Sequence, residues 1–275
     1  MGHSETIDRI NLKQILQQKA PSVARKIPNF VVNYLIKTIH QEELNDILTR
    51  YHDKQGVDFM NELISYFDLT IKLEDEENIP NDGRFIFASN HPLGGLDGIC
   101  LSAIIGSKFD GKIKYPVNDL LLYLPNLRSI FIPVNKHGAQ DRSAALKMEE
   151  AYSSDNQMIT FPAGLCSRRI KGQILDLEWK KSFIQKAVEH KRDIIPVYFD
   201  ARNSSFFYGL SNLRKALGVK ANIEMLYLSD EMFKQKHKTF KVYFGEPIPW
   251  QTFDNSKKPA EWAKWVKERA YKLVK

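Results

Sequence analysis

The sequence predicts an α/β protein with a central, mostly mixed β-sheet flanked by helices and preceded by an N-terminal helical segment. Three observations carry that expectation. Apolar runs of strand length alternate with helix-length amphipathic stretches through most of the chain. Beyond residue 60 no internal repeat, low-complexity linker or break in composition interrupts the alternation. A chain of 275 residues can also bury one full core, at the upper end of what a single domain holds. Residues 1–60 therefore read as a helical addition and residues 61–275 as one domain.

The elements follow in order. Residues 5–20, polar and rich in Gln and Lys, predict a helix ended by Pro21, and residues 29–50 predict one or two amphipathic helices that close near Gly56. From Val57 to Phe67, Phe59, Leu63, Tyr66 and Phe67 recur at helical spacing. Ile71 to Leu73 reads as a short strand, Glu74 to Gly83 as a turn and Arg84 to Ser89 as a core strand. Further strands are expected over 113–117, 129–134, 157–161, 194–199, 224–228 and 239–244. Helices are expected over 99–105, 139–152, 179–190 and 261–273, the last pinned to the core by Trp250, Trp262 and Trp265.

Charge narrows the partners. The formal net charge of +7 and a pI near 9.1 come with cation pairs at Arg25-Lys26, Arg168-Arg169, Lys191-Arg192 and Arg214-Lys215. An anionic lipid surface attracts such a chain, and so does nucleic acid. Against nucleic acid, there is no paired Cys/His finger spacing, no RNA-recognition aromatic motif and no basic helix with a clean reading face. Two segments favour lipid: Ser22 to His40, and Phe206-Phe207-Tyr208 followed by Leu210, Leu213 and Arg214-Lys215. Either segment by itself is equally compatible with core packing. The apolar runs at 30–36 and 120–125 are too short to span a bilayer, and no secretory signal is expected. Cys100 and Cys166 offer neither metal-ligand spacing nor a disulfide framework, so reduced thiols and no metal site are expected.

Chemistry concentrates in two turns. In Phe85-Ile-Phe-Ala-Ser-Asn-His91-Pro-Leu-Gly-Gly-Leu-Asp97 a buried strand would deliver His91 to the edge of the core, and the glycines allow a tight turn that returns Asp97 to the imidazole. One group then takes a proton while the other fixes its tautomer, which suits deprotonation of a hydroxyl or amine. A loop histidine bonded to an aspartate for structural reasons fits the same spacing. The second turn, Ile159-Thr-Phe161-Pro162-Ala163-Gly164-Leu-Cys166-Ser167-Arg168-Arg169, places a thiol, a hydroxyl and two guanidiniums after another apolar run.

Together these turns resemble the glycerolipid and lysophospholipid acyltransferase family, whose members carry a His-x4-Asp motif followed by a Phe-Pro-Glu-Gly-Thr-Arg-Ser motif. The form Asn-His-Pro-Leu-Gly-Gly-Leu-Asp-Gly is similar to that of the branch containing haemolysin-like and bacterial amino-lipid acyltransferases. The resemblance spans roughly residues 60 to 250. Five residues, Pro92 to Leu96, separate His91 from Asp97 where the family has four, and the extra one is placed at Gly94-Gly95. Ala163 and Leu165 stand where the family has an acidic residue and a threonine. The intermediate block, Arg128-Ser-Ile-Phe131-Ile132-Pro133-Val134, lacks the family's glycine and terminal arginine, so Arg128 or Arg142 is expected to supply that cation. Ile194 to Phe199 matches the family's last, Val-Pro-Val-type strand.

The resemblance implies that residues 61–275 form an acyltransferase catalytic domain, while residues 1–60, on their own amphipathic and basic residues, read as a helical segment suited to the membrane surface. The implied reaction moves a fatty acyl group from an acyl thioester, carried by acyl-carrier protein or coenzyme A, to a lysophospholipid, a glycerol phosphate or an acylated amino-acid lipid precursor, with no bound cofactor. His91 would be the base and Asp97 its support, with oxyanion donors from Gly94, Gly95 or Gly164. Arg168, with Arg128 or Arg142, would hold an anionic group, Ser167 would add a hydrogen bond, and Gly164 would line the acceptor site. The missing carboxylate at Ala163 favours an acceptor other than a simple glycerol phosphate. The implied partners are a lipid acceptor, the carrier protein or coenzyme A thioester and an anionic membrane surface, with the protein peripheral on the cytoplasmic face. Two alternatives stand beside this: a Cys166-dependent thioesterase or acyltransferase with His91 as base, and a non-catalytic membrane lipid-binding protein.

Overall fold

The computed structural model describes residues 9–117, 124–134 and 142–274. Its N-terminal part is helical: α1 (Leu12–Lys19), capped by the Asn11 side chain that accepts from Gln14 N, then α2 (Pro21–Ala24), α3 (Asn29–Thr38) and α4 (Gln41–Arg50). The expected helical pair over 29–50 is thus two helices, broken by His40 in the left-handed conformation. α5 (Gly56–Tyr66) buries Phe59, Met60 and Leu63 and crosses the next helix where Gly106 admits Val57; a Cβ on Gly106 would lie 2.3 Å from a Val57 methyl.

From there strands and helices alternate: β1 (Thr70–Glu74), β2 (Phe85–Ser89), α6 (Leu96–Lys108), β3 (Ile113–Val117), β4 (Phe131–Pro133), α7 (Arg142–Ser153), β5 (Gln157–Thr160), β6 (Arg168–Ile170), β7 (Gln173–Leu175), α8 (Ser182–His190), β8 (Asp193–Asp200), α9 (Ser205–Ala216), α10 (Leu228–Phe233), β9 (Thr239–Phe244) and α11 (Pro259–Tyr271). Seven strands form one sheet in the order β1-β9-β8-β2-β5-β3-β4. All neighbours are parallel except β8 and β9, so the sheet is mixed but mostly parallel. β2 lies between β8 and β5 and is buried along its whole length, as its uninterrupted apolar run requires. One core packs α5 and α6 on one face of the sheet, and a second packs α8 and α11 on the other.

Three segments, 223–227, 168–175 and 205–216, differ from what was expected. The strand expected over 224–228 is a 3-10 turn over Ile223–Tyr227 leading into α10, because an apolar run of that length suits a buried helical segment as well as a strand. Its Glu224 is fully buried and paired with Arg168 and Arg214. The β6–β7 hairpin and α9 lie where no element was expected; Ser204 starts α9 by accepting from Phe207 N. Residues 139–141 of the expected helix and most of the apolar run at 120–125 fall outside the described residues. Among the described residues, no helix is long and apolar enough to cross a membrane.

Candidate active site

Parallel strands end together, and the loops that follow β2 and β5 meet at the C-terminal edge of the sheet, where side chains from neighbouring loops converge. Asn90 fixes the first loop. Its side chain donates to Phe199 O and accepts from Phe199 N at 3.0 and 2.7 Å, clamping the end of β2 to β8. The next residue, His91, leaves the sheet with its ring stacked on Phe161 from the end of β5, centroids 4.1 Å apart.

The extra residue in the His-to-Asp spacing is absorbed by the turn. Gly94 takes φ +77°, and α6 then begins at Leu96, so Asp97 sits in its first turn, where the helix dipole favours negative charge. Asp97 Oδ2 lies 3.0 Å from His91 Nδ1, and the carboxylate is fully buried. It also accepts from Leu93 N at 3.0 Å, Gly94 N at 3.4 Å and Gly98 N at 2.9 Å. With three backbone donors and the imidazole, its acceptor sites are filled, which is what a buried carboxylate needs. The Nδ1 proton goes to Asp97, so Nε2 carries the lone pair; among the described residues it has no hydrogen-bond partner. The side chain keeps 16% of its surface in solvent.

A second buried carboxylate, unnoticed in the sequence, ties the two turns together. Asp176 accepts from His91 N at 3.2 Å, Ser167 Oγ at 2.6 Å and Trp179 Nε1 at 2.8 Å. Ser167 N donates to His91 O at 2.8 Å, completing the link. Burial pushes the Asp176 carboxyl up, and the bonds from Ser167 and Trp179 pull it back in part. The signal was an acid between Leu175 and Leu177, three residues before a tryptophan.

The expected anion-binding side chains scatter. Arg168 is 1% exposed: Nη1 donates to Cys166 O and Sγ at 2.8 and 2.9 Å, and Nη2 donates to Glu224 at 3.0 Å. Glu224 also accepts from Arg214 Nε at 2.6 Å, so the Arg168 guanidinium is committed to an internal ion pair and does not face an acceptor. Arg128 is exposed three residues before β4, at the N-terminal edge of the sheet, opposite His91; it borders a cleft of about 590 Å³ with Lys114, Lys147 and Glu150. Ser167 spends its hydroxyl on Asp176. Arg142 opens α7, which follows β4, and is exposed toward the same edge as His91.

Of the glycines, Gly164 takes φ +68° and donates its N–H back to Phe161 O, closing the turn. Gly94 points its N–H at Asp97, whereas Gly95 is exposed, with open space where a Cβ would stand. Beside Gly164 lies a cation that the motif reading passed over: a Cβ there would meet Lys180 Nζ at 3.3 Å, and Lys180 N donates to Pro162 O at 3.0 Å. Lys180 is exposed. Cys166 is fully buried, and that burial pushes its thiol up to about 11, against the pull of Arg168.

A family model described as an acyltransferase matches residues 14–275. The chain belongs to that acyltransferase family. The lyso-glycine lipid O-acyltransferase of Bacteroides thetaiotaomicron is 53% identical over 264 residues, 96% of this chain and 97% of that protein. The lyso-glycine lipid O-acyltransferase of Phocaeicola vulgatus is 49% identical over 269 residues, 98% and 96% of the two chains. The crystal structure of the 1-acyl-sn-glycerophosphate (LPA) acyltransferase PlsC from Thermotoga maritima covers 94% of this chain and 95% of its own at 15% identity, with a TM-score of 0.49. The protein is therefore an acyltransferase, as the two turns and the strand at Ile194 to Phe199 implied.

Proposed function

We propose that the protein transfers a fatty acyl group from an acyl thioester to the hydroxyl of a lyso-glycine lipid, with His91 as the general base. One observation carries the chemistry: His91 donates Nδ1–H to Asp97 and presents an Nε2 that has no partner among the described residues, at the edge where two strands end. The acceptor class rests on relatives of about half-identical sequence that bear that name over nearly the whole chain.

Nε2 removes the hydroxyl proton as the oxygen attacks the thioester carbonyl, and Asp97 supports the imidazolium that forms. The tetrahedral oxyanion collapses, the C–S bond breaks, and Nε2–H gives its proton to the departing sulfur, which leaves as the thiol and restores the neutral imidazole. Gly95 N–H is the glycine amide taken as the oxyanion donor, since the amides of Gly94 and Gly164 are turned to Asp97 and Phe161. A glycine lipid ends in a carboxylate, and the exposed cations at this edge, Lys180 and Arg142, suit it in place of the buried Arg168. The donor thioester is carried by acyl-carrier protein or coenzyme A. The enzyme works peripherally on the cytoplasmic face of an anionic membrane. Buried Cys166, with its raised thiol, supports packing over nucleophilic attack.

The test is a competition. Purified protein receives labelled acyl-carrier-protein or coenzyme A thioester and an equimolar panel of lyso-glycine lipid, lysophosphatidic acid and glycerol 3-phosphate, with products identified by mass. The expected product is lyso-glycine lipid heavier by one acyl group; preferential acylation of a phosphate acceptor would overturn the assignment.

A further inference from the structure

We infer that the exposed apolar face formed by α3, α9 and the turn at Ile223–Tyr227 is the surface that sits on an anionic lipid bilayer, placing the His91 loop beside the lipid. Of the twelve large hydrophobic residues exposed among the described ones, six belong to these three neighbouring stretches and two more, Leu217 and Val219, to the link between α9 and the turn. Phe30 and Tyr34, one helical turn apart on α3, are 74% and 52% exposed. Phe206 and Leu213, two turns apart at the start and end of α9, are 52% and 58% exposed, and Leu217 continues the row at 70%. The inner faces of the same helices bury Val32, Phe207 and Tyr208, so the outward residues are not spare core positions. Tyr227 makes the patch continuous: its hydroxyl lies 2.8 Å from that of Tyr34, and its ring meets Phe206 edge-on at 5.1 Å.

The charge around this face selects the occupant. Residues 21–39 and 205–223 contain six cations and no acid, namely Arg25, Lys26, Lys37, Arg214, Lys215 and Lys220. Arg214 is consumed by buried Glu224, which leaves five exposed cations around an apolar surface. An apolar row with tyrosines and a cationic rim is the composition that seats in the headgroup region of an anionic leaflet.

The face is also fixed to the site. Arg168 of β6 and Arg214 of α9 share Glu224, and Asn203, just before α9, donates to Pro92 O at 3.2 Å. A Cβ on Gly94 would meet a Leu228 methyl at 3.0 Å, so the start of α10 lies directly on the His91–Asp97 turn. A lipid leaving the bilayer at this face arrives at that turn without crossing the solvent.

The use of the face rests on the lipid-acceptor reading, whereas its existence does not, so binding is measured without either substrate. Full-length protein is sedimented with vesicles of phosphatidylglycerol in phosphatidylcholine and with phosphatidylcholine alone, at low and high salt. Phe206→Glu and Leu213→Glu are each expected to weaken partition onto anionic vesicles by about tenfold or more. Lys215→Gln with Lys220→Gln should weaken it at low salt and not on neutral vesicles. Leu146→Glu, on α7 and 70% exposed, is the control and should bind as wild type. Turnover of detergent-dispersed acceptor should be unchanged in all four. Wild-type binding by the Phe206 and Leu213 variants, or an equal loss in the Leu146 variant, would overturn the proposal. Retained vesicle binding with a raised KM for acyl-carrier protein would do the same, and would give the face to a protein partner.

Discussion

The two turns at the C-terminal edge of the sheet carry similar inventories of polar residues, yet they use them in opposite ways. In the His91 turn the buried partner, Asp97, is satisfied by backbone amides and one imidazole nitrogen, and the other nitrogen has no partner among the described residues. In the Arg168 segment every strong group is spent internally: Arg168 on Glu224 and Cys166, Ser167 on Asp176. The difference teaches that a polar residue in a motif is a candidate for chemistry only if folding leaves one of its atoms unpaired. Substitutions in the first turn should therefore cost rate and spare stability, and substitutions in the second should cost stability first.

The largest effect is expected from His91→Ala. Loss of the base should lower kcat by about 10²–10⁴-fold with only a small fall in melting temperature, because Asp97 keeps its three backbone donors when the imidazole is gone. Steady-state kinetics beside a thermal melt reads both quantities. A folded variant with near-normal turnover would erase the contrast between the turns.

Arg168→Met comes next. It removes one of two guanidiniums from a fully buried carboxylate, whose oxygens Arg214 still holds, and strips Cys166 O of its donor, so a loss of about 2–3 kcal/mol is expected in urea titration. If stability were intact while the acceptor KM rose, Arg168 would be a substrate ligand after all. Asp176→Asn sharpens the boundary between the turns: the amide accepts on one side only, and its NH2 group faces either His91 N–H or Trp179 Nε1–H. A loss of about 1–3 kcal/mol should appear together with a lower kcat, since Asp176 belongs to both turns. The smallest effect is expected from Cys166→Ser, with turnover reduced by less than about tenfold and no acyl adduct after rapid quench of wild type with donor alone. Stoichiometric acylation at Cys166 would restore the covalent alternative.

Much of the fold was legible because the central strands β2, β5 and β8 are buried on both faces over most of their length and read as continuous apolar runs, Phe85 to Ser89 above all. The His91–Asp97 pair was legible for a related reason: a polar pair that interrupts such a run, with glycines between, has few structural solutions. What escaped depends on contacts distant in sequence. Glu224 lies 56 residues from Arg168, and nothing near either residue announces the pair, so Arg168 read as a free cation and 224–228 as a strand. Asp176 escaped because its donors come from His91, Ser167 and Trp179 on three separate segments. Lys180 escaped because its relevance lies in a turn 16 residues earlier, at Gly164, where no hydropathy pattern points.

The account stands on His91 and Asp97 acting as one unit, and a double-mutant cycle on kcat for acyl transfer to lyso-glycine lipid tests that most directly. If Asp97 works only through the imidazole, Asp97→Asn alone slows transfer, and adding it to His91→Ala changes little, because the group it supports is gone. The predicted result is a double variant within about threefold of His91→Ala. Fully multiplicative losses would mean that the two residues contribute separately, and the paired geometry would then be structural.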